Sequence, residues 1–372
     1  MQQTSGLYIG LMSGTSVDAV DAALVHIDTK LELRASLNFE IPPDLKQQIH
    51  HICTAESATI DELGRLNRRI SNLFADATLA LLSTAGLSAQ DIRGIGSHGQ
   101  TIRHRPPSES EPNPFTWQMG DPHVIAARTG ITTVADFRSR DLAEGGHGAP
   151  LAPLFHRALC QHINGTCGVL NIGGLANLTV INRDEIRFGF DTGPGNTLID
   201  AWYRRHNSGD FDRGGSWAQT GTVNIELLQQ WLRDPFFNKA PPKSTGREYF
   251  NPNWMAALSP QVDTVKPADV AATLVELTAV SMGRCIANSL GPKTSVYVCG
   301  GGAHNTFLLS RLQSHLPNNT IENVEQLGIG PDWVEAAAFA WLAHARLEDQ
   351  RFDLSSVTGS KRPLPLGVIY PA

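Results

Sequence analysis

Residues Gly10–Asp28 read GLMSGTSVDAVDAALVHID. An apolar run, Leu7–Met12, leads into four small residues, Ser13–Ser16, and out again through Val17–Asp28, rich in Val and Ala. Strand, tight turn, strand is the reading this pattern supports. The same plan returns at Gly168–Asn182, GVLNIGGLANLTVIN, whose tip is NIGGLAN. Two Gly-tipped hairpins, each opening a half of the chain, predict two related α/β lobes.

The flanking sequence fits that plan. Apolar residues recur at helical spacing over Ile60–Ala85 (Leu63, Leu66, Ile70, Leu73, Phe74, Ala77, Leu81). Ile92–Ile102 reads as a buried strand ending in a polar loop, and 105–114, with four prolines, as an exposed connection. Ile186–Asp191 alternates as a strand and runs through TGPGN into the helix TLIDAWYRRH, with Asn196 or Thr197 as its N-cap. A long helix is expected around Ala268–Ser289, then a strand, three glycines (Gly300–Gly302) and an amphipathic helix, and a last Ala-rich helix over Asp332–Arg346.

With 372 residues, 41% of them hydrophobic and 18% charged, the chain can bury a large core and is neither disordered nor a coiled coil. A net charge of −6 argues against gripping nucleic acid by charge. No run has the length and apolarity of a membrane span, and MQQTSGLYIG has no basic-then-apolar leader pattern. Cys53, Cys160, Cys167, Cys285 and Cys299 are scattered, without a CxxC, which reads as free thiols in a reducing compartment, the cytoplasm.

Three turns are small enough for backbone N–H groups to approach a phosphate: SGTSVDAVD, DTGPGN with a helix N-terminus behind it, and CGGGAHN, which can lie flat against an adenine. Each alone also closes a hairpin; jointly they favour a nucleotide cleft between two lobes. No Walker motif and no GxGxxG occurs, which disfavours a P-loop ATPase and a Rossmann dehydrogenase. Asp18, Asp21 and Asp191 sit at strand ends beside small residues, where a carboxylate holds Mg²⁺, takes a proton, or bonds its own turn. The loops SHGQTIRH and QMGDPHVIAARTGITTVADFRSRDLAEGGHGAP are dense in short polar groups, as a sugar site requires, and Arg138 suits a substrate carboxylate. No zinc-type spacing and no GxSxG elbow is present.

The segments GLMSGTSVDAVD, SHGQTIRH, MGDP, TTVADFRSRD, GGHGAPL, NIGGLANLT, GFDTGPGN, KSTGREYFN, CGGGAHN and PDWVEAAAFAWLA occur in order between residues 10 and 343. Together they closely resemble the anhydro-N-acetylmuramic acid kinase family, over nearly the whole chain. The resemblance implies a two-lobed actin/hexokinase/Hsp70-like (ribonuclease H-like) α/β fold with an ATP cleft between the lobes. It implies ATP-dependent hydrolysis of the 1,6-anhydro bond of 1,6-anhydro-N-acetylmuramic acid with phosphorylation at O6, in peptidoglycan recycling, by a cytoplasmic homodimer that binds neither nucleic acid nor membrane. Lobe I is expected over 1–135 plus a returning tail, about 348–372, and lobe II over 136–347. The resemblance makes Gly14, Thr15, Ser16, Val17, Asp18, Ala19, Val20 and Asp21 the ATP phosphate motif and Asp191 the catalytic base. Gly173, Gly174, Asn177, Gly193, Gly195, Asn196, Gly300, Gly301, Gly302 and Asn305 join the ATP set. Asp18 is assigned to Mg²⁺, directly or through water. From motif position, His98, Gln100, Thr101, Asp136, Arg138 and Glu335 are assigned to the sugar. One departure stands out: the family carries SxDGxD where this chain has Ala19. A left-handed backbone there would cost an alanine about 1 kcal/mol. A plain sugar kinase, an Hsp70- or actin-like binding protein and an ATP-independent glycosidase are the rival readings.

Overall fold

The computed structural model describes residues 5–372, apart from Thr15, Ser110, Asp184 and Pro242. Chain contacts divide it into two units, residues 1–155 with 327–372, and residues 156–326.

In the first unit, β1 (Gly6–Ser13), β2 (Ala19–Ile27) and β3 (Leu31–Glu40) form an antiparallel meander. β4 (Ile92–Arg105) lies parallel beside β1, and β6 (Thr133–Ala135) parallel beside β4. β5 (Phe115–Met119) forms a hairpin with β4, and the C-terminal strand Val368–Tyr370 closes the sheet antiparallel to β6. The Ile60–Ala85 helix starts at a Thr59–Glu62 capping box and stops at Gly86 in the left-handed region. It buries Leu66, Ile70, Phe74, Ala77 and Leu81, the stripe its spacing predicts.

The second unit repeats the plan. β7 (Thr166–Ile172), β8 (Leu175–Asn182) and β9 (Glu185–Pro194) form the meander, and β10 (Ser295–Cys299) and β11 (Thr320–Asn323) follow in parallel beside β7. The spatial order β9-β8-β7-β10-β11 matches β3-β2-β1-β4-β6 in the first unit. The Pro267–Ser289 helix is buried nearly all round, so it carries no polar stripe. It is long and apolar enough to cross a membrane, and 83% of its apolar stretch is buried in the protein.

Several expectations change. The division falls after Phe155 and Gln326, not after 135 and 347. Residues 136–155 bond back to the first unit, Arg138 to His98 and the buried Asp141 to Thr358. The Val334–Leu347 helix lies on β1 and β4, where Gly10 and Gly96 admit it. A Cβ would stand 1.8 Å from the Ala336 carbonyl oxygen at Gly10 and 1.9 Å from that of Phe339 at Gly96. SHGQTIRH is strand, not loop, because β4 continues to Arg105 by pairing with β5. All five cysteines are free thiols.

Candidate functional site

In the first unit the turn between β1 and β2 carries the phosphate-type motif. Thr15, assigned to it above, lies outside the described residues. Gln100 braces the turn from below, accepting from Ser13 Oγ at 2.6 Å and donating to the Gly14 carbonyl at 3.4 Å. Both polar ends of this buried side chain are thereby engaged, so Gln100 supports the hairpin. Val20 is a core residue, leaving only its backbone. Among the described residues of the motif the left-handed one is Val17 (φ 56°), while Ala19 opens β2 in extended conformation, so the Gly-to-Ala departure carries no backbone strain.

The carboxylates of this hairpin differ. Asp18 pairs with Lys46, and that contact holds its carboxyl below the usual range. Asp21 is pushed up to about 6, first by burial, then by Glu335, Asp332 and Asp18, against one hydrogen bond from Asn38 Nδ2 at 2.5 Å. The uncompensated negative charge therefore sits at Asp21. Among the described residues no cluster of three or more His, Cys, Asp or Glu side chains could hold a metal. One or two carboxylates are what Mg²⁺ uses when phosphate oxygens and water complete its shell, so the residues fit that ion.

Beside this turn the buried His98 donates from Nδ1 to the Gly99 carbonyl at 2.9 Å and accepts at Nε2 from Arg138 Nε (3.1 Å) and Nη2 (2.9 Å). Burial and the Arg138 charge hold it well below its ordinary value, so it is neutral. Its ring packs on Phe339, centroids 4.7 Å apart. Arg138 also donates to the Gly148 carbonyl at 3.0 Å, and burial lowers it to about 10 against the Glu335 charge. Glu335 is solvent-accessible, yet surrounding protein raises its carboxyl, with Arg138 opposing. Glu335 and Phe339 are four residues apart on one helix, which sets both toward the His98–Arg138 pair. Thr101 accepts from Gln118 at 3.2 Å, and Asp136 is exposed with φ 56°.

In the second unit three loops converge on Ile172–Gly174. Gly195 and Thr197 donate their backbone N–H to the Gly174 carbonyl (2.9 and 3.0 Å), and Asn196 to that of Gly173 (2.8 Å). These three amides are consumed by the β7–β8 turn, so they offer no donor to an anion; this corrects the expectation for DTGPGN. Asn196 Nδ2 donates to the Ile172 carbonyl at 3.2 Å. Gly300 and Gly302 pack on the same strand end, where a Cβ would meet Asn171 Oδ1 at 2.4 Å and Ile172 Cγ2 at 2.2 Å. Only Gly301 of the triplet is exposed with open space at its Cβ. The buried Asn305 caps the Thr306–His315 helix, its Oδ1 accepting from Leu308 N at 3.0 Å.

Asp191 lies in β9 opposite Asn177 of β8, with Gly193 two residues on in the left-handed range. Burial raises its carboxyl, and donors from Thr245 and Ser244 oppose that. Lys243, Ser244 and Thr245 were quoted above only as part of the KSTGREYFN motif; nothing in their spacing signals that they fold onto Asp191.

Two sheets of one strand order, Gly-tipped hairpins and carboxylates at strand ends define the two-lobed α/β class that includes actin and hexokinase, with phosphotransferase chemistry. The chain belongs to the anhydro-N-acetylmuramic acid kinase family, whose profile matches residues 6–372. It is 48% identical over 372 residues to the anhydro-N-acetylmuramic acid kinase of Xylella fastidiosa, covering 98% of this chain and 96% of the relative. It is 45% identical over 367 residues to that of Aliivibrio fischeri, covering 98% and 99%. Among solved structures, component A of the Acidaminococcus fermentans (R)-2-hydroxyglutaryl-CoA dehydratase aligns over 92% of this chain and 99% of that one at 11% identity and a TM-score of 0.45, a likeness that carries no further argument.

Proposed function

We propose that the protein converts 1,6-anhydro-N-acetylmuramic acid, ATP and water into N-acetylmuramic acid 6-phosphate and ADP, in peptidoglycan recycling. The observation that carries the mechanism is Asp191, a half-buried carboxylate in the glycine-rich part of β9, raised by burial and, among the described residues, held by donors on one oxygen only.

The chemistry follows from the bond that opens. O6 is a poor leaving group as an alkoxide, and a glycosidase would protonate it. Here the γ-phosphorus takes that place. Asp191 accepts a proton from water as the water oxygen bonds to C1. The C1–O6 electron pair stays with O6, which bonds to phosphorus, and ADP departs with the electrons of the broken P–O bond. The backbone of Gly14–Asp21 is assigned to the phosphates, with Gly173, Gly174, Gly193 and Gly195 as turn residues and Gly301 at the adenosine. Mg²⁺ would be held through Asp21 or Asp18 and would offset triphosphate charge. Asp18 has to leave Lys46 to serve, so Asp21 is the better placed of the two. Arg138 is assigned to the lactyl carboxylate, its guanidinium anchored by His98 and Gly148. Thr101, Asp136 and Glu335 complete the sugar contacts. A cytoplasmic homodimer that engages neither nucleic acid nor membrane belongs to the same reading, and light scattering of the purified protein tests the dimer.

The deciding experiment is ADP release from Mg·ATP with and without 1,6-anhydro-N-acetylmuramic acid. Turnover that depends on the sugar is expected. Sugar-independent turnover overturns the assignment in favour of an ATP-driven binding protein.

A further inference from the structure

The segment Lys243–Arg247 lies outside every strand, yet three of its groups meet one residue. Asp191 donates its backbone N–H to the Lys243 carbonyl at 3.0 Å. Thr245 N donates to Asp191 Oδ2 at 2.9 Å, and Ser244 Oγ to the same oxygen at 3.2 Å. Among the described residues no hydrogen bond reaches Oδ1.

This strap is itself anchored. Lys243 Nζ donates to the Phe236 carbonyl at 3.2 Å and stands 4.6 Å from the centre of the Phe236 ring. Behind it, Asp234 accepts from Tyr249 Oη (2.9 Å) and Trp254 Nε1 (2.8 Å), which ties the aromatic cluster down. At the far end the Arg247 guanidinium lies over Gly174, where a Cβ would come within 2.9 Å of Nε and Nη2. The strap therefore runs from an aromatic anchor to the β7–β8 turn.

We propose that the Lys243–Thr245 strap is the positioning element of the base: Ser244 and Thr245 fix Oδ2, so that Oδ1 is the oxygen that takes the proton of the attacking water. The inference rests on Asp191 being that base. A carboxylate free to turn about its last bond presents either oxygen; two donors on one oxygen remove that freedom. An oxygen already accepting two hydrogen bonds is also the poorer proton acceptor. The same donors favour the ionised form, the one that accepts a proton, against burial.

Ser244 is exposed, so its truncation leaves the fold intact. The experiment is the pH dependence of kcat for Ser244→Ala, Ser244→Thr and Asp191→Asn at saturating substrates. With Ser244→Ala the acidic limb is expected to move up by about half to one pH unit, and plateau kcat to fall about three- to tenfold. KM for both substrates stays within about twofold, because the lost contact touches neither. Ser244→Thr, which keeps the hydroxyl, restores limb and rate. An unmoved limb in Ser244→Ala, or a limb as far displaced in Ser244→Thr, overturns the strap's role while an inactive Asp191→Asn preserves the base. Substantial kcat in Asp191→Asn overturns the base itself.

Discussion

Asp191 and Asp21 carry the same functional group and are tuned to different ends. Burial raises both. Asp191 is partly compensated by two donors, whereas Asp21 faces three further carboxylates with one amide in support. Asp191→Asn keeps the volume and loses the proton acceptor. It is expected to lower kcat by about 10²–10⁴-fold while calorimetry still detects ATP and sugar binding. In wild type, kcat falls as pH drops through the raised Asp191 value, since only the ionised form accepts a proton. For Asp21 the consequence is in stability. Its folded-state value, about 6, exceeds the ordinary 3.8, so its contribution to stability is fully present below pH 4 and is lost as pH rises through 6. Asp21→Asn should therefore stabilise the ligand-free protein at pH 8 by about 1–2 kcal/mol after allowance for solvent screening. Thermal melts should show that gain vanishing toward pH 4, while turnover with Mg·ATP drops. A melting temperature unchanged at pH 8 would remove the argument.

At the scale of elements, the Val334–Leu347 helix is held by close packing against the sheet of the first unit. Its backbone lies against β1 and β4 over Gly10 and Gly96, and its first turn carries Glu335. Gly96→Ala would drive a methyl to within 1.9 Å of the Phe339 carbonyl oxygen, which backbone cannot yield cheaply. A loss of about 1–3 kcal/mol or more is expected, read as a lower urea midpoint, with weaker sugar-dependent turnover because Glu335 and Phe339 move with the helix. Gly64→Ala is the control: nothing lies within 4 Å of its Cβ, and an alanine inside the Ile60–Ala85 helix should be neutral or stabilising. The Ile60–Ala85 helix was legible to the residue, because its cap, its apolar stripe and its terminal glycine are all local. β3 was not anticipated: LELRASLNFE is only partly buried and polar enough to read as connection. SHGQTIRH misled for the same reason, since small polar residues suggest a loop until β5 supplies a partner.

For the whole molecule, the predictions concern bond order and stereochemistry. Attack by water on C1 opposite the anhydro bridge, which occupies the β face, requires the α-anomer of the product first. NMR of fresh product should show it before mutarotation, and solvent ¹⁸O should appear at C1. A β-anomer, or label absent from C1, would return the choice to a kinase acting on a free hydroxyl. The sequence alone determined the repeated hairpin plan, the glycine-rich segments and the carboxylate of β9, because periodicity, turn chemistry and residue size act over a few neighbours. Tertiary structure alone decided what each polar group is free to do. It turned Gln100 and Asn305 into supports, spent the amides of Gly195–Thr197 on the Gly173 and Gly174 carbonyls, and laid Ser244 and Thr245 on Asp191 across more than fifty residues of chain. The physical reason is that a hydrogen-bonding group has a fixed number of partners, and which ones it meets depends on how distant segments pack.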